Sequence, residues 1–265
     1  SYFSEGKGCN LPRGEAGNPS VIDDRTWTDL THFDGNANTL RLLTHQFEGR
    51  RKGGFVLTYS TLASIVKYPY SSTLDKGKSK FGFFESERES YERIATELGI
   101  PFTAGPEGTQ AVRYPLVYLV EAADDICYEV MDIEDAFKLR IRTYEETQEL
   151  LLGFFETAER KSLMEHYPEG TDQGDRIAFY RSCAINALER ACVDIFVANE
   201  DAILAGTFTG SLISHLPSPL AAGYRRCDEV ARGRTHCSKA VTDIDIAGYH
   251  ITYTLPELTT HPPLA

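Results

Sequence analysis

The 265 residues are 42% hydrophobic and 25% charged, enough apolar side chain for one large domain or two small ones. A formal net charge of −12 repels nucleic acid and phosphate over the whole surface, so a phosphorylated ligand must meet a local cluster of Lys and Arg. No apolar run approaches the ~20 residues needed to span a bilayer, and no signal-peptide pattern opens the chain, which leaves a cytoplasmic protein as the expectation.

Two basic clusters stand out: Arg50, Arg51 and Lys52 beside Gly53-Gly54, and Lys76, Lys78 and Lys80. Either could be a solvated loop. The six cysteines form no CxxC pair or zinc-finger spacing. Cys127, Cys183 and Cys192 fall within apolar helical patterns and read as buried, reduced thiols.

In chain order, Ser1 to Asp29 is rich in Gly, Pro, Asn and Asp and reads as a long loop. The chain opens on Ser rather than Met, and the expectation is that residues precede it. Asp34 caps a helix through Phe47, with Leu40, Leu42 and Leu43 as its apolar positions. Leu57 to Lys67 is a second helix, stopped by Pro69. Ser86 to Leu98 is a third, with Ser86 as cap and Glu89 completing a capping box. Gly99 and Pro101 end it, and Thr103 to Gln110 reads as a turn. A long helix runs from about Tyr114 to Leu139. Helix continues over residues 143 to 164, capped at Thr143. Further helices follow at Arg176 to Phe196, Asn199 to Leu204 and about Pro219 to Ala231. His250 to Leu255 alternates and predicts a short strand. The class is all-α, with that strand as the one exception. Residues 30–265 read as a single helical domain behind a loop-rich lead-in over residues 1–30.

The segment that carries chemistry is Glu121-Ala-Ala-Asp124-Asp125-Ile-Cys-Tyr128-Glu129-Val-Met-Asp132-Ile-Glu134-Asp135. An almost wholly apolar half-helix runs into a dense set of carboxylates. Asp124, Tyr128 and Asp132 are spaced by four and share one face; Asp125 and Glu129 lie about 100° round it. A buried carboxylate needs a cation, a hydrogen-bond network or a proton. Two readings stay open. Asp124 and its neighbours pair with arginines of packed helices, or Asp124 is a hard-oxygen metal ligand with Tyr128 and Asp132 facing a substrate.

This segment resembles a signature of the deoxyguanosine triphosphatase branch of the HD-domain phosphohydrolases. So does His32-Phe33-Asp34-Gly35-Asn36-Ala37-Asn38, leading into Leu40-Arg41-Leu42-Leu43. So do Leu57-Thr58-Tyr59-Ser60-Thr61-Leu62-Ala63 with Lys67-Tyr68-Pro69, Lys80-Phe81-Gly82-Phe83-Phe84, and Ala205-Gly206-Thr207-Phe208. The five elements keep the family's order over residues 30–210. The resemblance implies an HD-domain-type helical fold. It also implies metal-dependent cleavage of a dNTP, with dGTP among the substrates, to a deoxynucleoside and triphosphate.

By that resemblance Asp124 matches the last of two His and two Asp ligands of a divalent ion, Mg²⁺ or Mn²⁺. Asp125 matches no ligand. Tyr128 and Asp132 match residues lining the sugar, with Asp132 accepting from the 3′-hydroxyl. Lys67, Tyr68 and Lys80 match the triphosphate side, and Asn36 a residue near the phosphates. Arg41 reads as a structural ion pair, and His32 and His45 as structural. No His-Asp dipeptide occurs in the chain. The family's His-Asp pair, its first His and its catalytic His and Glu are expected upstream of Ser1, so this chain alone is expected to be inactive. A homo-oligomer, hexameric or trimer-based, is the implied assembly; single-stranded DNA is a partner of some members and is not indicated here. The alternatives are a non-catalytic dNTP-binding or regulatory module, another HD-type nucleotide phosphohydrolase, or a scaffold without a ligand.

Overall fold

The computed structural model describes residues 12–14, 22–46, 48–49, 54–74, 80–168, 170–231 and 239–260. Arg50 to Lys52, Lys76, Lys78, Cys9 and Cys237 lie outside them. The fold is mainly helical, as composition and periodicity predict, and the chain forms two compact units: Ser1–Val117 with Gly248–Ala265, and Tyr118–Ala247.

In the first unit, α1 (Asp24–Thr31) falls where a loop was expected. Asp23 caps it by accepting from the amides of Arg25 and Thr26, which nucleates a helix too short to show a periodic apolar face. The cap contacts also hold the Asp23 carboxyl below its ordinary range, the Thr26 amide foremost. α2 (Gly35–Thr44) starts at Asp34 as the sequence predicts, the carboxylate accepting from Asn36 N–H at 2.7 Å. α3 is shorter than expected, Tyr59–Ser64, opened by Thr58. A 3₁₀ turn, Glu85–Glu87, precedes α4 (Arg88–Glu97). Ser86 is therefore not the cap. Its hydroxyl donates to Glu87 at 2.8 Å and accepts from Arg41 at 2.9 Å, because the Arg41–Glu87 ion pair (3.0 Å) draws it there. That pair bears out the structural reading of Arg41.

Thr103 to Gln110 is more than a turn. β1 (Phe102–Gly105) and β2 (Gly108–Ala111) pair antiparallel, Phe102 opposite Ala111 and Gly105 opposite Gly108. Gly108, at φ 137°, closes the hairpin where a side chain would strike Ser71 and Thr73. The unit's core joins Leu40, Leu62, Val66 and Phe83 to Tyr91 and Ile94, with the Phe83 and Tyr91 rings stacked at 4.4 Å.

The second unit is built on α5 (Val117–Lys138) and α8 (Gln173–Ala198), with α6 (Tyr144–Leu152), α7 (Thr157–Glu165), α9 (Glu200–Leu204) and α10 (Leu220–Val230). The expected helix over 143 to 164 breaks at Gly153–Glu156. Thr143 opens α6 with a full capping box, and Glu156 opens α7 with another. Ile126, Val130 and Ile133 of α5 and Ile177, Ala184 and Leu188 of α8 enter one core with Leu151 and Phe154. Gly223 of α10 has no room for a Cβ against the Phe154 ring, so α10 seats close on the α6–α7 corner. Cys192 and Cys227 are buried, which pushes their thiols up to about 11 and about 12 and keeps them inert. Cys127 is exposed and Cys183 half-buried, so the expectation of burial fails at Cys127. It sits on the solvent side of α5, one position past the buried Ile126.

The strand expected over His250–Leu255 is absent. Those residues lie inside α11 (Lys239–Thr260), where Thr254 Oγ1 donates to the His250 carbonyl at 2.8 Å. Six alternating residues with no neighbouring strand would leave their backbone groups unpaired, whereas a helix pairs them internally. Among the described residues no helix is long and apolar enough to cross a membrane.

Candidate functional site

α5 turns Ala122, Ile126, Val130 and Ile133 inward, and this fixes what its other faces can present. Asp124 and Tyr128 are exposed on the side away from that stripe, and Tyr128 keeps 55% of its surface open. Asp124, Asp125, Tyr128 and Glu129 form one wall of a cavity of about 590 Å³. The turn at Ser211–Ser214 and the α10 residues Tyr224 and Asp228 form the others. Every element here belongs to the second unit.

Among the described residues no lysine or arginine lines this cavity. Its lining is rich in carboxylates, chemistry that suits a cation or a donor-bearing ligand and repels a bare phosphate. The Asp124 carboxylate makes no ion pair or hydrogen bond among the described residues, so it is not consumed by an arginine. It is a carboxylate held in an open cleft with its oxygens available. Asp132 is half-buried and off the cavity wall, yet near enough to act on Tyr128. Burial raises the Tyr128 phenol above its usual range, and the charges of Asp132 and Glu129 push the same way. Tyr128 is therefore a neutral donor at physiological pH.

Asp124 fits one position in the coordination shell of a divalent ion, as a hard oxygen donor. No group of three His, Cys, Asp or Glu side chains among the described residues is arranged to hold a metal ion.

In the first unit the segments carrying Lys67, Tyr68 and Lys80 run against each other. Gly82 N–H donates to the Tyr70 carbonyl at 3.0 Å, and an added Cβ at Gly82 would collide with the Tyr68 carbonyl oxygen and lie 2.7 Å from Val66 Cγ1. Lys67 Nζ sits 6.0 Å from the Tyr68 ring centroid, within cation–π range. Phe81 and Phe84 clasp Ala37, next to Asn36, with Tyr70 packed on the same cluster. Asn36 itself donates its side-chain amide to Asp34 at 2.7 Å. Asn36 and Lys80 thus adjoin this cluster in the chain through Ala37 and Phe81, and Tyr68 meets it through Tyr70, ring centroids 6.4 Å apart. Gly82→Ala is expected to lower stability by about 1–2 kcal/mol, since the loop cannot back away without unpacking Phe81 and Phe83. Thermal unfolding checks it; an unchanged midpoint would mean the loop yields freely.

His32 packs its ring nitrogen on Thr28 O at 3.2 Å, and His45 ends α2, both in structural positions. Sequence reasoning missed Ser211, Ser214, Tyr224 and Asp228 as cavity residues. Ser211 and Ser214 follow shortly after the Ala205–Phe208 element, which offered a signal. Asp228 is brought in by tertiary packing alone.

No protein-family model matches the chain. It is 35% identical over 236 residues to a deoxyguanosinetriphosphate triphosphohydrolase-like protein of Pseudomonas aeruginosa, covering 86% of this chain and 52% of that protein. It is 33% identical over 203 residues to a protein of the same description from Synechocystis sp., covering 73% and 44%. It is 32% identical over 211 residues to one from Listeria monocytogenes, covering 73% and 42%. The chain spans about half the length of these curated relatives. Over the aligned span, the chain belongs to the deoxyguanosinetriphosphate triphosphohydrolase-like family.

Proposed function

We propose that this chain supplies part of the active site of a metal-dependent dNTP triphosphohydrolase. The reaction cleaves a dNTP, dGTP among the substrates, to a deoxynucleoside and triphosphate. The observation that carries the reading is Asp124: a carboxylate with no side-chain partner among the described residues, opening into a cavity, on the helix that most resembles the family's signature. Asp124 would share in holding Mg²⁺ or Mn²⁺, and the ion would supply Lewis-acid stabilisation of phosphoryl charge. The remaining ligands and the catalytic His and Glu would come from outside this chain, which leaves the chain by itself without turnover.

The other residues bind and orient. Lys67 and Lys80 offset negative charge on the triphosphate, with Tyr68 and Asn36 beside them. Tyr128 lies under the sugar, where an aromatic face leaves no space for a 2′-hydroxyl, and Asp132 accepts from the 3′-hydroxyl. The reading includes a cytoplasmic homo-oligomer, hexameric or trimer-based. One observation favours a second reading, a dNTP-binding regulatory module without turnover: the described residues hold no complete set of metal ligands.

Product analysis on the complete protein separates the two. Triphosphate released from dGTP in stoichiometry with deoxyguanosine supports the hydrolase. Tight dGTP binding without product supports the regulatory module, and release of orthophosphate or monophosphate points to a different phosphohydrolase. Within the hydrolase reading, Lys67→Glu is expected to raise KM for dGTP at least tenfold, as a phosphate attraction becomes a repulsion. An unchanged KM would remove Lys67 from the phosphate side.

A further inference from the structure

The cavity wall opposite α5 is a short turn held with unusual care. Ser214 Oγ donates to Ser211 O at 2.6 Å and accepts from Ser211 N–H at 3.2 Å. Ser214 N–H in turn reaches Ser211 Oγ at 3.3 Å. Gly210, at φ 82°, begins the turn, and a Cβ there would lie 2.7 Å from Ser214 Oγ. The Ser214 hydroxyl is therefore spent inside the turn. The Ser211 hydroxyl accepts from Ser214 N–H, and its own hydrogen finds no acceptor among the described residues.

The turn is tied back to α5 through a chain of three rings in contact. Tyr118, 3% exposed, meets Phe208 edge to face at 5.2 Å and donates its hydroxyl to the Phe208 carbonyl at 3.2 Å. Phe208 meets His215 at 4.9 Å, and His215 Nε2 lies 2.9 Å from the Thr209 carbonyl. The turn is bracketed by these contacts, Thr209 before it and His215 after it.

We infer that Ser211 is a ligand-binding residue of the cavity, donating its hydroxyl to an acceptor atom of the nucleotide, and that His215 is a positioning residue that holds the turn by its bond to Thr209. The inference rests on the hydrolase reading for the identity of the ligand. Ser211 is a donor on a wall that faces carboxylates, so it recognises what those carboxylates reject: an oxygen or nitrogen lone pair of the nucleotide. His215 acts only through the backbone of the turn.

The test uses the complete protein with dGTP and Mg²⁺. Ser211→Ala is expected to raise KM about three- to tenfold, the loss of one hydrogen bond, with kcat changed less than about twofold. His215→Ala is expected to raise KM similarly, and His215→Gln, whose amide nitrogen can stand where Nε2 stood, to restore it. An unchanged KM in Ser211→Ala overturns the inference for Ser211. Equal loss in His215→Ala and His215→Gln overturns the positioning role. If the wild-type protein shows no turnover, the hydrolase reading fails, and amide hydrogen exchange over residues 209–215 decides the inference separately. Protection by dGTP that is lost in Ser211→Ala supports it, and no dGTP-dependent protection in the wild type overturns it.

Discussion

Asp124→Asn in the complete protein is expected to cut triphosphate release from dGTP by roughly 10³-fold, the scale of losing a ligand to a metal that stabilises phosphoryl charge. The same substitution is expected to leave thermal unfolding nearly unchanged. The reason is the surroundings of the side chain: it is exposed, and no arginine, lysine or backbone amide among the described residues leans on it. A residue with no structural partner has no structural cost when its charge is removed, so a loss of rate can be assigned to chemistry. Asp125→Asn is the control. It lines the same cavity, differs by about 100° around α5, and matches no ligand, so its loss of rate should be smaller by at least tenfold. Comparable losses in the two variants would mean that the cavity needs its summed negative charge, and the assignment of Asp124 as the ligand would fall. A metal titration reads the same point without turnover: the apparent affinity for Mn²⁺ should weaken in Asp124→Asn and hold in Asp125→Asn.

How far the sequence discloses this site depends on the range of each interaction. The face shared by Asp124 and Tyr128 is legible because a helix repeats every 3.6 residues, so four-residue spacing puts them side by side without any knowledge of the fold. Thr143 and Asp34 are legible as caps because capping is local, a side chain answering an amide two or three residues on. Asp132 marks the limit of periodicity. It shares the spacing but is not among the residues that line the cavity, whose other walls come from the Ser211 turn and α10. Ser86 and the His250–Leu255 run fail for the same reason in opposite ways. Ser86 is claimed by Arg41, 45 residues earlier in the chain, and the alternating run has no neighbouring strand among the described residues to pair with. The β1–β2 hairpin was missed because Gly105, Pro106 and Gly108 mark a turn equally well with or without pairing on its flanks.

The ion pair between Glu134 and Arg181 is equally invisible to sequence, being 47 residues apart, and it yields the largest expected effect on stability. Glu134 lies on α5 with only 5% of its side chain exposed, and Arg181 on α8 reaches it at 2.5 Å; Lys138, a turn further along α5, stands at 3.2 Å. Burial by itself raises the Glu134 carboxyl, but the Arg181 and Lys138 contacts outweigh it and hold the group below its ordinary range. Such a group stabilises the fold above its unfolded pKa, near 4.5, and the contribution is lost as pH falls through the lower folded value. Arg181→Met keeps the bulk and removes the charge. It leaves Glu134 buried with a mostly exposed lysine for company, and the expected cost at pH 7 is about 3 kcal/mol, the lower end for breaking a buried pair because Arg181 is itself a quarter exposed. For a chain of this size that is a fall of about 6–12 °C in Tm. The pH dependence tells a broken ion pair from lost packing. In the variant, burial is no longer opposed by the arginine, so Glu134 titrates higher than in the wild type. As pH drops from 7 towards 4 the carboxyl takes up a proton, its burial ceases to cost charge, and the gap in Tm between variant and wild type should narrow. A gap that stays constant over that window would mean the loss came from the arginine's aliphatic packing, and the electrostatic tie between α5 and α8 would have to be given up.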